Sequence, residues 1–420
     1  MTTIVKASTA SDFLALVPRL VGFEPHDSLV FVAFRGSRTC GAMRVDLPGR
    51  SQSRAHKRIA TTLVGMLSKL PGVDAVVPVV YTGETFAASA GGPGAPAAGI
   101  PHSDFVDSVV TRLRFSGFVV RDALCVAADG WGSYLDPGRP PAGRPLAAIA
   151  GSPILDGVPT ADGGPVGSVA DLAALPPADP AARERVAASL GAFGAVLRGA
   201  DPGRARRARV ASRDAVGADA RAAALRDIPA TLEEIITARG DSVDPHAAAF
   251  VITISLSPAV RDVVMMQWAF DLALGERVLA DAARFSRGTT AGALETAGLM
   301  LGRGPRPDPE RVGRAISLLK SIAALAPDDS RAPVLCMLAW LNWALGRSSV
   351  ADVFVAEALR VDPRYGLADL MRTVLERGIL PEWAFADDAG FDDAGSDDAG
   401  SDDASDGRPP VSRSAPRGPS

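Results

Sequence analysis

Strand-forming runs stop early in this 420-residue chain, and the remainder reads as helix. That division constrains the fold more than any single motif does. Before Ala128, β-branched and apolar runs at Ser28–Phe34, Cys40–Leu47, Asp74–Tyr81 and Phe118–Ala127 alternate with segments of helical periodicity. From Val169 onward the pattern predicts alanine-rich helices over Ala181–Leu197, Ala218–Asp227, Ala230–Arg239, Pro245–Leu256, Pro258–Leu274 and Thr289–Leu301. Aromatic residues make up only 5% of the chain, so both cores must be built mainly from Ala, Val and Leu.

Local signals fill in the first part. Ser11 is placed to cap a first helix, with Asp12 near the positive end of its dipole. Phe13, Leu16, Val17 and Leu20 share one face, Pro18 predicts a short or kinked helix, and Gly22 is suited to end it. The unbroken apolar run Ser28–Phe34 predicts a strand covered on both faces. Gly36-Ser37-Arg38 makes the turn into Cys40–Leu47, and Ser51–Leu70 is a second helix. Pro78 marks its strand as an edge or a bulge. Gly83–Pro101 reads as a loop rich in Gly, Ala and Pro, and Ser103–Phe115 as a helix. The order α-β-β-α-β-α-β implies an α/β domain, a mixed sheet with flanking helices.

Three blocks stand out: Ser11-Asp12-Phe13-Leu14-Ala15-Leu16-Val17-Pro18-Arg19-Leu20-Val21-Gly22-Phe23 running on to Asp27-Ser28-Leu29-Val30; Arg44-Val45-Asp46-Leu47-Pro48; and Trp131, Ser133 and Tyr134 ahead of the Pro-rich turn Asp136–Leu146. Together they resemble a family of uncharacterised proteins from high-GC Gram-positive bacteria, a domain of unknown function. The resemblance implies kinship and assigns no chemistry. Many relatives that this pattern resembles carry a cysteine cluster in the third block. This chain has Asp136 and no cysteine there, so no metal or thiol role carries over.

Asp308–Gly378 resembles tetratricopeptide repeats, helix–turn–helix units of about 34 residues. Leu335, Leu338 and Ala339 fall on a first helix, Gly346 in the turn, and Ala351, Val355 and Ala358 on a second helix closed by Asp362-Pro363. Ala315, Leu319 and Pro327 fit an earlier unit. Two units are too few for an independent solenoid, so they are expected to pack on the preceding helices. The expected organisation is an α/β domain over 1–155, a linker over 156–167, a helical region over 168–304, tetratricopeptide-like helices over 305–386 and a disordered Asp-rich tail over 387–420.

Charge and cysteine usage exclude several classes. Nine aspartates and three arginines lie in the tail; removing them from 48 acidic and 44 basic residues leaves 39 and 41. A nearly neutral body argues against a dedicated nucleic-acid binder, and the basic run from Arg198 to Arg213 lacks interleaved aromatics for base stacking. Cys40, Cys125 and Cys336 are widely spaced, and no C-x-x-C, H-E-x-x-H or phosphate-loop pattern occurs, so no metal and no cofactor is expected. The N-terminus lacks the apolar core of a signal peptide, and no stretch reads as a membrane span, which points to the cytoplasm.

Few residues remain as candidates for chemistry. His26, Asp27 and Ser28 supply the residue types of a hydrolytic triad, but adjacency in sequence is no support, and a backbone-capping turn fits them better. Arg44 and Asp46 share the polar face of a strand, as a salt bridge or as part of a site. Trp131, Ser133 and Tyr134 follow a strand's C-terminal end, where α/β sheets tend to place ligands. His56, His102 and His246 are single histidines near predicted helix starts. The reading is a non-catalytic binding or scaffold protein, with a protein or peptide partner on the C-terminal helices. The alternative is an enzyme or small-ligand-binding protein with a pocket near Asp46 and Trp131.

Overall fold

The computed structural model describes residues 6–49, 55–86, 99–157, 167–199, 215–238, 243–285 and 293–384. Most of the 83–101 loop and of the 156–167 linker, the arginines from 204 to 213 and the Asp-rich tail lie outside them.

The chain enters through α1 (Ala10–Val21). Thr9, not Ser11, caps it: its hydroxyl accepts the Asp12 N–H at 3.1 Å, and the Asp12 carboxylate accepts the Thr9 N–H at 3.1 Å. This reciprocal capping box satisfies two helix-end donors, which Ser11 cannot do from one residue inside. Pro18 falls in the last turn, and Gly22 closes the helix at φ 86°. The hairpin of β1 (Ser28–Arg35) and β2 (Arg38–Asp46) follows, then α2 (His56–Leu67), β3 (Ala75–Tyr81), α3 (Ser103–Phe115), β4 (Val119–Val120), β5 (Leu124–Val126) and β6 (Trp131–Ser133). The strand order is β2-β1-β3-β5-β6, with β4 also against β3. β3 runs antiparallel to β1 and parallel to β4 and β5, so the sheet is mixed as expected.

Pro78 is the exception to expectation, because β3 is central rather than an edge. The backbone of β3 explains why. Val76 offers its carbonyl to Arg121 N–H, and Thr82 gives its N–H to Val126 O, so even-numbered residues point toward β4 and β5. The parallel ladder there is broken, β4 meeting Ala75 and Val76 and β5 meeting Val79 to Tyr81. Pro78 faces that gap, where no ladder donor is required. A second difference is that the run 118–127 divides into β4 and β5, after which a tight turn starts β6, a strand that the sequence did not suggest.

Both faces of the sheet are covered. Leu29, Phe31, Val76, Val80 and Cys125 pack under α2 and α3, while Val30, Val32, Val77, Val79 and Leu124 pack under Leu14 and Val17 of α1. The continuous apolar pattern of β1 follows directly from this. Short α4 (Ala147–Ala150) completes the first part.

Twelve helices follow among the described residues: α5 (Val169–Ala173), α6 (Pro180–Gly199), α7 (Ala215–Arg226), α8 (Ile228–Thr237), α9 (Pro245–Ser255), α10 (Pro258–Ala269), α11 (Leu272–Phe285), α12 (Ala293–Met300), α13 (Pro309–Leu325), α14 (Asp328–Ala344), α15 (Ser348–Val361) and α16 (Gly366–Glu376). The segment read as one helix to Leu274 breaks at Phe270, because Asp271 accepts the Leu274 N–H at 2.7 Å and starts α11. One apolar core joins these helices, with Trp268, Trp340, Trp343 and Trp383 buried within it.

A polar clamp sits inside that core. Arg311 of α13 grips Glu233 of α8 through two bonds of 2.9 and 2.6 Å and donates to the Gln267 carbonyl of α10 at 3.1 Å. Gln267 in turn donates to Glu233 at 3.0 Å and to Pro229 O at 2.8 Å. The bond from Arg311, reinforced by Gln267, holds the Glu233 carboxyl below its ordinary range. Glu233→Gln should therefore destabilise the fold by about 3 kcal/mol at neutral pH, since it leaves a buried guanidinium without its counter-charge. A depressed carboxyl pKa contributes stability above the unfolded value of about 4.3 and loses it as pH falls through the folded value. The gap in melting temperature between wild type and Glu233→Gln should be constant above about pH 5 and close below it; thermal melts across pH check this.

Candidate functional site

The parallel strands β3 and β5 both end at one margin of the sheet, where open α/β sheets place their ligands. One lateral row of residues crosses that margin: Asp46, Ser28, Tyr81, Val126 and Trp131, on β2, β1, β3, β5 and β6 in turn. Asp27 and His102, the two non-glycine residues with positive φ among those described, also lie there, at 41° and 59°. Left-handed backbone at such residues is strained, and strain of this kind concentrates at functional sites.

The connections around the margin are specific. The Asp27 carboxylate accepts the N–H of Gly83, just beyond β3, at 3.1 Å. Thr82 accepts the Glu84 N–H at 3.2 Å, and Asp129, just beyond β5, accepts the Phe86 N–H at 2.9 Å. These bonds fold the segment after β3 back over the sheet end. Glu84 is thereby carried to His102, whose Nε2 lies 3.6 Å from Glu84 Oε1 and 3.4 Å from Thr82 Oγ1. His102 precedes α3 directly, and its side chain turns to these partners instead of capping the helix.

A cleft of about 210 Å³ opens beside this pair, lined by Pro48, His56, Glu84, His102, Ser103, Asp104 and Phe105. The His56 ring leans on Phe105, with centroids 5.2 Å apart. Two imidazoles and two carboxylates thus border one small depression, able to donate and accept protons or hydrogen bonds on several sides.

The residues singled out from the sequence are spread along the margin. Asp46 is 81% exposed at the β2 edge and pairs with Arg44 at 2.5 Å, the salt bridge expected of that face. Arg44 also donates to Ser28 Oγ at 2.8 Å and to Ser349 Oγ of α15 at 3.1 Å, so it joins the sheet to the helices. Trp131 is buried at the opposite edge, with the Arg144 guanidinium 5.2 Å from its ring centre. Four strand spacings separate Asp46 from Trp131, about 19 Å. Ser133 donates to Asp122 at 2.5 Å. Tyr134 lies on the other face and donates to Pro101 O at 2.5 Å, its phenol raised well above the ordinary range by burial. The four do not meet in one pocket. His26, Asp27 and Ser28 form a turn: Ser28 donates to His26 O, and Asp27 serves Gly83.

Glu84, Asp104 and the cleft roles of His56 and His102 were not apparent in the sequence. The signal was faint: a histidine directly ahead of a predicted helix, and a lone acid in a Gly- and Ala-rich stretch. Burial pushes the Cys125 and Cys336 thiols up to about 12, which leaves them unreactive at neutral pH. Among the described residues no cluster of His, Cys, Asp and Glu is arranged to hold a metal, and no helix is long and apolar enough to cross a membrane.

Comparison with known families places this architecture. The chain belongs to the DUF4192 family. This domain of unknown function matches residues 11–382, spanning both the sheet and the helices. No curated protein and no solved structure matches the chain.

The strain at His102 is directly measurable. His102→Gly and His102→Ala both remove the imidazole, but only alanine retains the left-handed penalty. The glycine variant should be more stable than the alanine variant by about 1 kcal/mol in chemical denaturation.

Proposed function

We propose that this DUF4192 protein is a cytoplasmic, non-catalytic binding protein whose ligand is a small polar molecule held in the cleft beside Glu84 and His102. The observation that carries this reading is the convergence of His56, Glu84, His102 and Asp104 on one cleft at the carboxyl end of β3, over a backbone held in the left-handed region at His102. Carboxylate acceptors beside imidazoles that both donate and accept suit a polar ligand with both kinds of group, such as a hydroxylated or zwitterionic metabolite. A cytoplasmic setting accords with three cysteines that form no disulfide.

A scaffold role built on tetratricopeptide-like helices has less support. Every residue of α14 from Ala332 to Ala344 is buried. The helix that would line a peptide groove is instead surrounded by its neighbours. An acid–base enzyme is the second reading, favoured by the 3.6 Å approach of the Glu84 carboxylate to His102, which would orient the imidazole.

A thermal-shift screen of hydroxylated and zwitterionic metabolites tests the binding reading. At least one should raise the melting temperature of the wild type, and His102→Ala and Glu84→Gln should abolish that rise. Glu357→Ala, on α15 and outside the cleft lining, should leave it intact. A rise that survives both cleft substitutions would remove the site.

A further inference from the structure

The block Trp131–Tyr134 and the Pro-rich turn behind it stand apart from the cleft, yet one side chain joins them to it. Glu84 lies on the short segment beyond β3, and this segment touches the β5–β6 hairpin at three points. The Glu84 carbonyl accepts the Ala128 N–H at 2.9 Å, the Phe86 N–H reaches Asp129 at 2.9 Å, and the Phe86 ring is fully buried. That ring fills a place where side chains are missing. Val80, Cys125 and Gly132 form a lateral row across β3, β5 and β6, and the first two pack under α2 and α3. The row ends at Gly132, where a Cβ would lie 3.4 Å from Phe86 Cζ.

Gly143 closes the other side of the ring. It stands in the left-handed region at φ 74°, and a Cβ there would lie 3.0 Å from Phe86 Cε2, closer than the about 3.5 Å of a comfortable carbon–carbon contact. Reciprocal backbone bonds of 2.9 and 2.7 Å between Trp131 and Arg144 hold this turn against β6. The hydrogen bonds of the Glu84 segment lie at the sheet end, where water competes for them, so the buried phenyl ring is the larger hold on its position. We propose that Phe86, seated between Gly132 and Gly143, is the positioning residue that keeps Glu84 beside His102, and that the third block serves the cleft by forming this seat. This rests on the reading of the cleft as a ligand site and names what fixes its acid. Phe86 itself does not line the cleft.

The test uses the full-length chain with isotope-labelled histidine, whose four imidazoles are followed by NMR at fixed pH. Glu84→Gln, which removes the carboxylate 3.6 Å from His102, defines the His102 signal without that partner. Phe86→Ala should move the His102 signal to the same position, and Phe86→Leu, which refills the seat, should return it toward wild type. His246, bonded to Ser189 at 2.9 Å in the helical part, should not move in any of them. Phe86→Ala added to Glu84→Gln should shift His102 no further, an outcome that a loss of packing alone would not give. Positioning by Phe86 is overturned by a wild-type His102 signal in folded Phe86→Ala, or by an equal shift in the Glu84→Gln background. Should Phe86→Ala not fold, Gly143→Ala presses on the same ring: a shifted His102 signal supports the seat, and an unshifted one overturns it. No ligand enters the experiment, so a failed metabolite screen leaves the seat standing, and a failure of the seat leaves the cleft open to a ligand.

Discussion

The position of β3 governs the architecture. It is the strand at which antiparallel pairing with β1 gives way to parallel pairing with β5, and its seven residues are all buried. A parallel partner requires a crossover, and α3 supplies it against the face that α2 already covers. The other face is left to α1. The ends of β3 and β5 consequently fall together, and the segments that leave them can fold toward each other at one margin. Without the local break that accommodates Pro78, this strand could not lie in the middle of the sheet.

The helical part depends on a different kind of constraint. Alanine-rich helices pack closely but offer little shape to fix which helix meets which. The Arg311–Glu233–Gln267 clamp links α8, α10 and α13 through directional bonds inside an otherwise apolar core. Breaking one member leaves a buried charge uncompensated, so the clamp penalises alternative arrangements more than it adds stability to the native one. The tryptophans act similarly at the far end: Trp343 donates to Ile379 O at 2.7 Å and Trp383 to Ala344 O at 2.9 Å, pinning the last described turn onto α14.

What was legible in the sequence tracks the range of the interactions involved. The helix Ser103–Phe115 and the hairpin strands are written in local periodicity, and the structure has them within a residue or two. The alternation of elements was enough to give a mixed sheet followed by helices. Pro78 misled because its tolerance depends on where β4 and β5 break their ladder, over 40 residues away. β6 was missed because three residues containing Gly132 carry no alternation to detect. The break before α11 was signalled by Asp271, a good cap that the apolar run from Pro258 masked. For the cleft, the residue types were visible, but their meeting was not. Glu84 and His102 are joined only because Asp27 and Asp129 fold the segment after β3 back on the sheet.

The two faces of the sheet margin differ because different elements cover them. On the α2 and α3 side, helix starts bring charged and titratable groups, His56, His102 and Asp104, to a rim that stays open to solvent. On the α1 side, the row passes from the exposed Asp46 through Ser28 into the buried Tyr81 and Trp131, where the polar tips are neutral. A charged rim interacts through electrostatic complementarity, while a buried neutral row is governed by packing, and a buried donor left unmet there forfeits its desolvation energy. One sheet end is therefore polar and open on one face and apolar and closed on the other.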